Sequence, residues 1–556
     1  MKLVRLSPKT ILSGSTVKQS LLSQSAVADP VQRVLSLGRE RSINWQVLRY
    51  ILFAVLLGVV TTLVVMIYYY NHPQPEPLAD TWSYLYVVDR IQVSGQIVNF
   101  WRLPGYPLFI VVIYALKGQG NLGAVSEAQA ILFVLAALEI YVLAVLILRR
   151  AWAAFLIGLL VGINIPLLSY MKPIMSETLG LWLLTTLALA VIVFLKTFRL
   201  TVFWLITVCI LLLFLTRPEW IFLPVLLFAY LLLVAAWRGA FRRVLPHALG
   251  SLALCYGVLG SYAFVNAKQN HYPGVTWIEN INELGKVLQY RMQDEAPPQY
   301  ANVSHILDTY VSKGMVDPYP ILAEQPELVR DDAALAGRFS QWIIVHHPVE
   351  FFVKSVPVFF SSLTVFYQES RIAPAGPFAS PLIGLDNEFR ALYKWYIFFP
   401  AGAAIWLLLL FWHKTRSLLV VQMMGAIVLL GLYGLVSTTL GAYRGYDYMR
   451  IHTLFDPLMT MVIWGTLLMG AILIVQRGPA FLVRLADHSF AHQKVGIRLG
   501  NLLITSICLV GLCLFAIRYL HAPGLSSLIG VIFFFVMSVA GIFSSRRANG
   551  SREIWS

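Results

Sequence analysis

Charge is what this chain has least of. Asp, Glu, Lys and Arg together make up only 12% of its 556 residues, roughly half the share of an ordinary soluble domain (about 25%). With 58% hydrophobic residues, that excludes both a water-soluble globular enzyme and an intrinsically disordered chain. Cysteine is scarce too. Cys209, Cys255, Cys508 and Cys513 all lie inside apolar runs, where they read as small buried hydrophobes, with neither a disulfide framework nor a metal-ligand spacing. No short internal repeat occurs, and no low-complexity run beyond the Ser-rich leader. That leader, 1–45, is basic and has no apolar core of its own. It is therefore expected to be a flexible cytoplasmic tail, with no cleavable signal peptide ahead of the first apolar run.

Acid is the scarcer sign, 27 Asp and Glu against 42 Lys and Arg, for a formal charge of +15. In a soluble protein such a balance would suggest nucleic acid. The distribution here argues against that partner. Apolar runs of about 18 residues or more, enough to cross a bilayer, recur at 48–69, 127–148, 152–169, 176–195, 201–215, 219–236, 247–265, 394–412, 418–440, 453–474, 499–519 and 525–544. The basic residues fall before the first run, in alternate short loops (Arg149 and Arg150, Lys196 and Arg199, Arg238, Arg242 and Arg243, Lys414 and Arg416) and after the later runs. With about twelve spans these loops share one face, which the positive-inside rule makes cytoplasmic. The expected fold class is an all-α polytopic integral membrane protein, multi-pass in the plasma or inner membrane, with both termini cytoplasmic.

Between the first two spans lies 80–107, too polar for hydrocarbon yet carrying Trp82, Leu85, Tyr86, Val87, Val88 and Ile91 at helical spacing. It reads as a helix on the membrane surface, opened by an acid and closed by a cation before a Pro-Gly-Tyr-Pro bend. A carboxylate and a guanidinium so placed could deprotonate an acceptor and hold a phosphate. The apolar stretch 110–116 is too short to span. An insert of about 267–392 is the one place for a soluble subdomain, with helical spacing over 277–293, 300–312 and 326–346. The stretch 349–367 is interrupted by Lys354 and Pro357 and is read as a surface-lying helix rather than a span.

The face away from the basic loops holds a mixed polar set: Asp80, Arg102, Lys172, Glu177, Arg217, Glu219, Arg444, Asp447, Arg450, His452 and Asp456. Each has a plain structural reading. Asp80 suits a helix N-cap, and Arg102 can snorkel to headgroups. Lys172 can pair with Glu177, Arg217 can anchor beside Trp220, and Arg444 and Arg450 can pair with Asp447. His452 can be a satisfied structural histidine. His346 and His347 lack further ligands nearby, so no metal site is expected. The clustering on one face is harder to explain one residue at a time. An anionic lipid-linked phosphate needs several cations, and its acceptor needs a carboxylate base.

On these residues the chain resembles the GT-C superfamily of polytopic glycosyltransferases. The branch is that of protein-O-mannosyltransferases and aminoarabinose transferases, which use polyprenyl-phosphate sugars. The likeness is an ordered set: Asp80 in D-x-x-x-Y-L with Tyr84 and Leu85; Arg102 before Pro104-Gly105-Tyr106-Pro107; Ser176-Glu177; Arg217-Pro218; His347-Pro348 before an apolar helix; and an aromatic, Arg-rich loop, 443–452, before Asp456-Pro457. It covers roughly 48–475. Many relatives pair acids in the first loop, whereas Asp80 has only Glu76 and Asp89 nearby. That departure points to a metal-independent monophosphate donor. The aminoarabinose branch carries Lys where this chain has Arg102.

The resemblance implies a single inverting displacement. Asp80 and Glu177 are the catalytic acids, and Arg102, Lys172, Arg217, Arg444 and Arg450 bind the donor phosphate. Tyr84, Tyr106 and His452 position acceptor or donor. No cofactor and no metal is expected, the polyprenyl-phosphate sugar being a substrate. Partners are membrane lipid, that donor, and an acceptor lipid, glycan or protein hydroxyl. The implied organisation is a tail over 1–45 and a catalytic membrane module over 46–266 that includes the outer loop 70–126. An extracytoplasmic helical subdomain over 267–392 follows, then membrane helices over 393–475 with outer loop 441–452, and a membrane pair with a basic tail over 476–556. The rival readings are a transporter or flippase of lipid-linked sugars, a surface-glycan ligase or polymerase using a diphosphate carrier, and a scaffold without a site.

Overall fold

The computed structural model describes residues 45–486 apart from 72, 327, 329–333, 365–371, 373, 375 and 444. The chain divides into two units, Met1–Ile51 and Leu52–Ser556. The first is described only from residue 45, as the start of the Trp45–Asn71 helix. Among the described residues the regular structure is helical, apart from one isolated bridge between Glu76 and Pro173. Among the described residues, eight helices are long and apolar enough to cross a membrane, or up to ten if each of two bent pairs counts as one span.

Ten of the twelve expected spans fall within the described residues, and each coincides with helix. Two depart from a simple span. The 152–169 run bends by 54° between Ala151–Gly162 and Ile165–Met171. There Asn164 turns its side chain to accept from the Leu167 N–H at 3.1 Å, capping the new segment. The 201–215 run is the Leu200–Thr216 helix, whose 17 residues fall short of the roughly 20 a full crossing takes. The last two runs, 499–519 and 525–544, lie outside the described residues, as does the leader. Gly105–Lys117 is a helix of 13 residues, in keeping with a stretch too short to span.

The Glu177–Thr197 and Leu419–Gly441 helices are central: 78% and 72% of their apolar windows are buried, against 17% for Trp45–Asn71. Glycine sets how closely the helices approach. A Cβ on Gly158 would meet Leu57 at 2.5 Å, and one on Gly434 would meet the Phe455 ring at 2.1 Å. Close approach at small residues is how helices associate where lipid supplies no hydrophobic drive.

The insert has a core of its own, built from Ile281, Leu284, Val287, Leu288, Leu307, Phe339 and Ile343. Its first helix, Trp277–Gln289, carries a strongly one-sided apolar face. The insert joins the first loop through the Trp277 N–H, which donates to the Phe100 carbonyl at 2.8 Å. The Trp101 and Trp277 rings also meet edge-on at 4.9 Å. The Pro348–Ser362 helix turns by 96° from Leu335–His346. Alone it has 15 residues, and Lys354 ties it back to the insert by donating to the Tyr290 carbonyl at 2.8 Å.

Gly434→Ala should lower thermal stability by about 1–3 kcal/mol through overpacking against Phe455. Gly257→Ala, on a helix where an added Cβ meets nothing within 4 Å, should be neutral or slightly stabilising. Melting of the two purified variants in one detergent checks the contrast.

Candidate active site

The Ala79–Ser94 helix begins one residue before Asp80. The Leu78 N–H at its start is taken by Thr81 Oγ1 at 2.8 Å, and Thr81 Oγ1 donates in turn to the Ile174 carbonyl at 3.2 Å. This corrects the N-cap reading of Asp80: Leu78 is the N-cap, Asp80 lies in the first turn, and its carboxylate is turned to Arg102 and Arg450. The following loop is pinned by Asn99, whose N–H donates to Tyr262 Oη at 3.0 Å and whose Oδ1 accepts from the Trp101 N–H at 2.8 Å. Arg102 comes next. The chain then passes so close to the Leu200–Thr216 helix that a Cβ on Gly105 would lie 2.7 Å from the Leu215 carbonyl oxygen. A residue larger than glycine would push Arg102 away.

Four segments far apart in sequence bring their charges into one alternating row. Arg102 Nη2 lies 2.7 Å from Asp80 Oδ1. Arg450 Nη1 donates to Asp80 Oδ2 at 2.8 Å, across 370 residues of sequence. Arg450 Nε then lies 3.0 Å from Glu177 Oε1, and Arg217 Nη1 lies 3.1 Å from the same oxygen. Arg217 Nε also pairs with Glu219 Oε1. The order is Arg102, Asp80, Arg450, Glu177, Arg217, Glu219. Burial is uneven along it: the Glu177 side chain is 3% exposed and that of Arg217 7%, whereas Asp80 is 28% exposed. The row is closed at its centre and open at Asp80.

Burial opposes ionisation of Asp80, but the guanidiniums of Arg102 and Arg450 outweigh it and hold the carboxyl well below the usual carboxylate range. Arg102 is also held by donation to Ser83 Oγ at 2.7 Å and by the Tyr84 ring, 4.5 Å from its guanidinium carbon. Tyr84 hydrogen-bonds Ser176 Oγ at 2.9 Å, next to Glu177. A cavity of about 10 Å³, room for one water, is lined by Glu177, Arg450, Tyr170 and Thr453 among others. Glu177 Oε2, buried with no protein hydrogen-bond partner, belongs to the residue that walls it.

Of the residues singled out from the sequence, the row unites Asp80, Glu177, Arg102, Arg217 and Arg450, with Tyr84 beneath it. Arg450 bridges two acids from distant segments. Three take other places. Lys172 is fully buried with its Nζ 3.9 Å from the centre of the Tyr69 ring; burial lowers its pKa to about 8. Tyr106 is fully buried behind Tyr84, ring against ring at 4.8 Å, and donates to Gln129. His452 is buried with its Nδ1 2.9 Å from Asp456 Oδ1, and Tyr393 donates to the other oxygen of that carboxylate. Arg444 lies outside the described residues. Sequence reasoning noted Glu219 only as one of the polar set; its spacing two residues after Arg217 was the available signal. Ser176 was noted only as the neighbour of Glu177, and Ser83 left no signal. Among the described residues, no three His, Cys, Asp or Glu side chains stand together as metal ligands would.

No protein-family model matches this chain, and no curated protein does. Among solved structures it is similar to the archaeal oligosaccharyltransferase AglB from Archaeoglobus fulgidus in complex with an inhibitory peptide and a dolichol-phosphate. Identity is 10% and the TM-score 0.42, over 92% of this chain and 57% of that one. It is similar also to the Archaeoglobus fulgidus oligosaccharyltransferase in the apo form, at 12% identity and a TM-score of 0.41, over 88% and 55% of the two chains. A third match is that enzyme tethered to an acceptor peptide containing the NVT sequon, at 13% identity and a TM-score of 0.40, over 90% and 56%. This chain thus spans little more than half the length of the structures it matches.

Glu177→Gln leaves Arg217 and Arg450 short of a buried anion and should cost about 3–5 kcal/mol of stability. Glu350→Gln, in an exposed pair with Lys354, should leave the melting temperature unchanged. Asp80 gives a second test. Its carboxyl titrates lower in the folded than in the unfolded chain, so its stabilisation is complete above about pH 4 and is lost as pH falls further. Between about pH 4 and 2 the wild type should therefore lose more melting temperature than Asp80→Asn.

Proposed function

We propose that this chain is a membrane glycosyltransferase of GT-C type. It moves a sugar from a polyprenyl-phosphate donor to a hydroxyl acceptor on the extracytoplasmic face, in one inverting displacement and without a metal. The observation that carries the reading is the Asp80 carboxylate, part exposed at the open end of the row and flanked by Arg102 and Arg450 at 2.7 and 2.8 Å. A base and two bidentate-capable cations within one contact distance suit a reaction that removes a proton at one atom and releases a phosphate at another.

In the proposed step the acceptor O–H approaches the ionised Asp80 carboxylate. As the acceptor oxygen bonds to the anomeric carbon, the bond from that carbon to the phosphate oxygen breaks. The bonding electron pair leaves with the phosphate, and the acceptor proton passes to Asp80. Arg102 and Arg450 stabilise the charge that develops on the departing phosphate. Glu177 holds Arg450 and Arg217 in place. The buried ammonium of Lys172 and the imidazole of His452 have no direct part.

Transfer from a panel of radiolabelled polyprenyl-phosphate sugars should proceed with wild-type membranes. It should fall by about 10²–10⁴-fold in Asp80→Asn, the usual contribution of general acid–base catalysis, with the variant still folded. Transfer by Asp80→Asn at the wild-type rate overturns the reading. Export of an intact lipid-linked sugar without transfer supports the flippase reading in its place, and transfer only from diphosphate carriers supports a ligase or polymerase.

A further inference from the structure

Lys286 is a fully buried lysine that meets no carboxylate among the described residues. Its Nζ donates to Tyr448 Oη at 2.7 Å, Gln289 Oε1 at 3.2 Å and Tyr290 Oη at 3.3 Å, and it lies 4.6 and 5.0 Å from the centres of the Tyr448 and Tyr290 rings. Burying an ammonium against neutral oxygens alone is unfavourable, and methionine would fill the same space without that penalty. The partner that matters is Tyr448, two residues before Arg450 on the Gly445–Thr453 helix. Gly285, beside Lys286, packs so tightly on Tyr443 that a Cβ there would lie 2.3 Å from its ring. Tyr443 Oη in turn donates to Asp317 Oδ1 of the insert at 3.1 Å. The insert therefore grips the short helix that carries the bridging arginine.

We propose that Lys286 is a positioning residue for Arg450: it fastens the insert to Tyr448 so that Arg450 is held where it spans Asp80 and Glu177. What Arg450 then serves rests on the glycosyl transfer proposed above; the latch itself does not. As an ammonium, Lys286 offers a proton to each of its three oxygens and a charge to two rings. As a neutral amine it keeps two protons and loses the charge, so the latch loosens on deprotonation. Burial lowers its pKa to about 7, placing that change near neutrality. Facing it are the Tyr448 phenol, the Tyr290 phenol (raised further by burial) and, behind Tyr290, Ser355 at 3.0 Å and the Lys354–Glu350 pair. Glu279 and Glu283 on the same helix also titrate at about 7, pushed up first by burial. The Lys286→Met comparison separates their contribution.

The test is hydrogen exchange of the 445–453 segment in the full chain in nanodiscs, read as a function of pH and corrected for intrinsic rates. Lys286→Met should exchange there about tenfold faster below pH 7, the scale of one buried charge-assisted hydrogen bond. Its melting temperature should be unchanged or higher, because an uncompensated buried cation has gone. In the wild type, protection should fall as pH rises through about 7; in Lys286→Met that step should be absent. Tyr448→Phe, which also loses the bond that Tyr448 Oη donates to Gln289 Oε1 at 2.6 Å, should loosen the same segment, and the double variant should exchange little faster than Tyr448→Phe alone, since the Lys286–Tyr448 contact is already gone there. Unchanged exchange in Lys286→Met, additive effects in the double variant, or a lower melting temperature with loosening spread along the chain would each overturn the latch. If Asp80→Asn transfers sugar normally, the catalytic reading fails while the exchange data still decide on Lys286.

Discussion

Three guanidiniums and three carboxylates in one alternating row set the terms for this end of the protein. In a weakly polarisable setting each charge needs an opposite neighbour, and here Asp80, Glu177 and Arg450 each have a partner on both sides. Such a row is poor evidence for stability. Well-packed apolar side chains of similar volume commonly serve a fold as well or better, whereas removal of a single member is costly. A set of charges that apolar packing could replace, yet that is costly to lose one member at a time, is better explained by what it does.

The helices present these charges in a manner that suits their dipoles. Glu177 opens the Glu177–Thr197 helix and Asp80 sits in the first turn of Ala79–Ser94, where an anion is favoured. Arg217 follows the last residue of Leu200–Thr216 and Arg450 lies in the last turn of Gly445–Thr453, where a cation is favoured. Four helix ends thus converge with their partial charges already complementary to the side chains they carry. One close contact helps to fix the convergence: Gly105 against the Leu215 carbonyl, where an added Cβ would lie 2.7 Å away. A shift of the end that carries Asp80, Glu177 or Arg450 would break two ion pairs, because each of the three has a partner on both sides.

Much of this was legible in the sequence, for a physical reason. A bilayer demands long apolar runs, so spans can be read from composition, and within the described residues each expected run is helical. The membership of the charged cluster was legible too, because ionisable groups at span ends are costly enough to stand out. The pairing was not. Taken alone, Asp80 reads more readily as a helix cap until Leu78 is seen to be the N-cap and Asp80 a first-turn residue, and nothing local links it to Arg450. Lys172 and His452 carry the same residue-type signal as the arginines, yet packing buries one against Tyr69 and the other against Asp456 and Tyr393. Composition and spacing report which groups lie at a membrane face; which of them touch is decided by the angles at which helices cross.

The balance of charge in the row bears on how it would meet a substrate. With three cations and three anions among the described residues, the row itself offers an incoming phosphate no spare positive charge, so an anion must compete with a carboxylate for its arginines. That exchange is favoured at one place. The Glu177 side chain is 3% exposed and tied to two arginines, whereas Asp80 is 28% exposed and its partner Arg102 14%. A phosphate entering from the open end would draw Arg102, and in part Arg450, away from Asp80. The carboxylate would then lose the charges that hold its pKa down, and its affinity for a proton would rise. On the proposed reaction the step that seats the donor is also the step that makes Asp80 a competent base. An empty site would keep that base quiet, paired and unable to activate water.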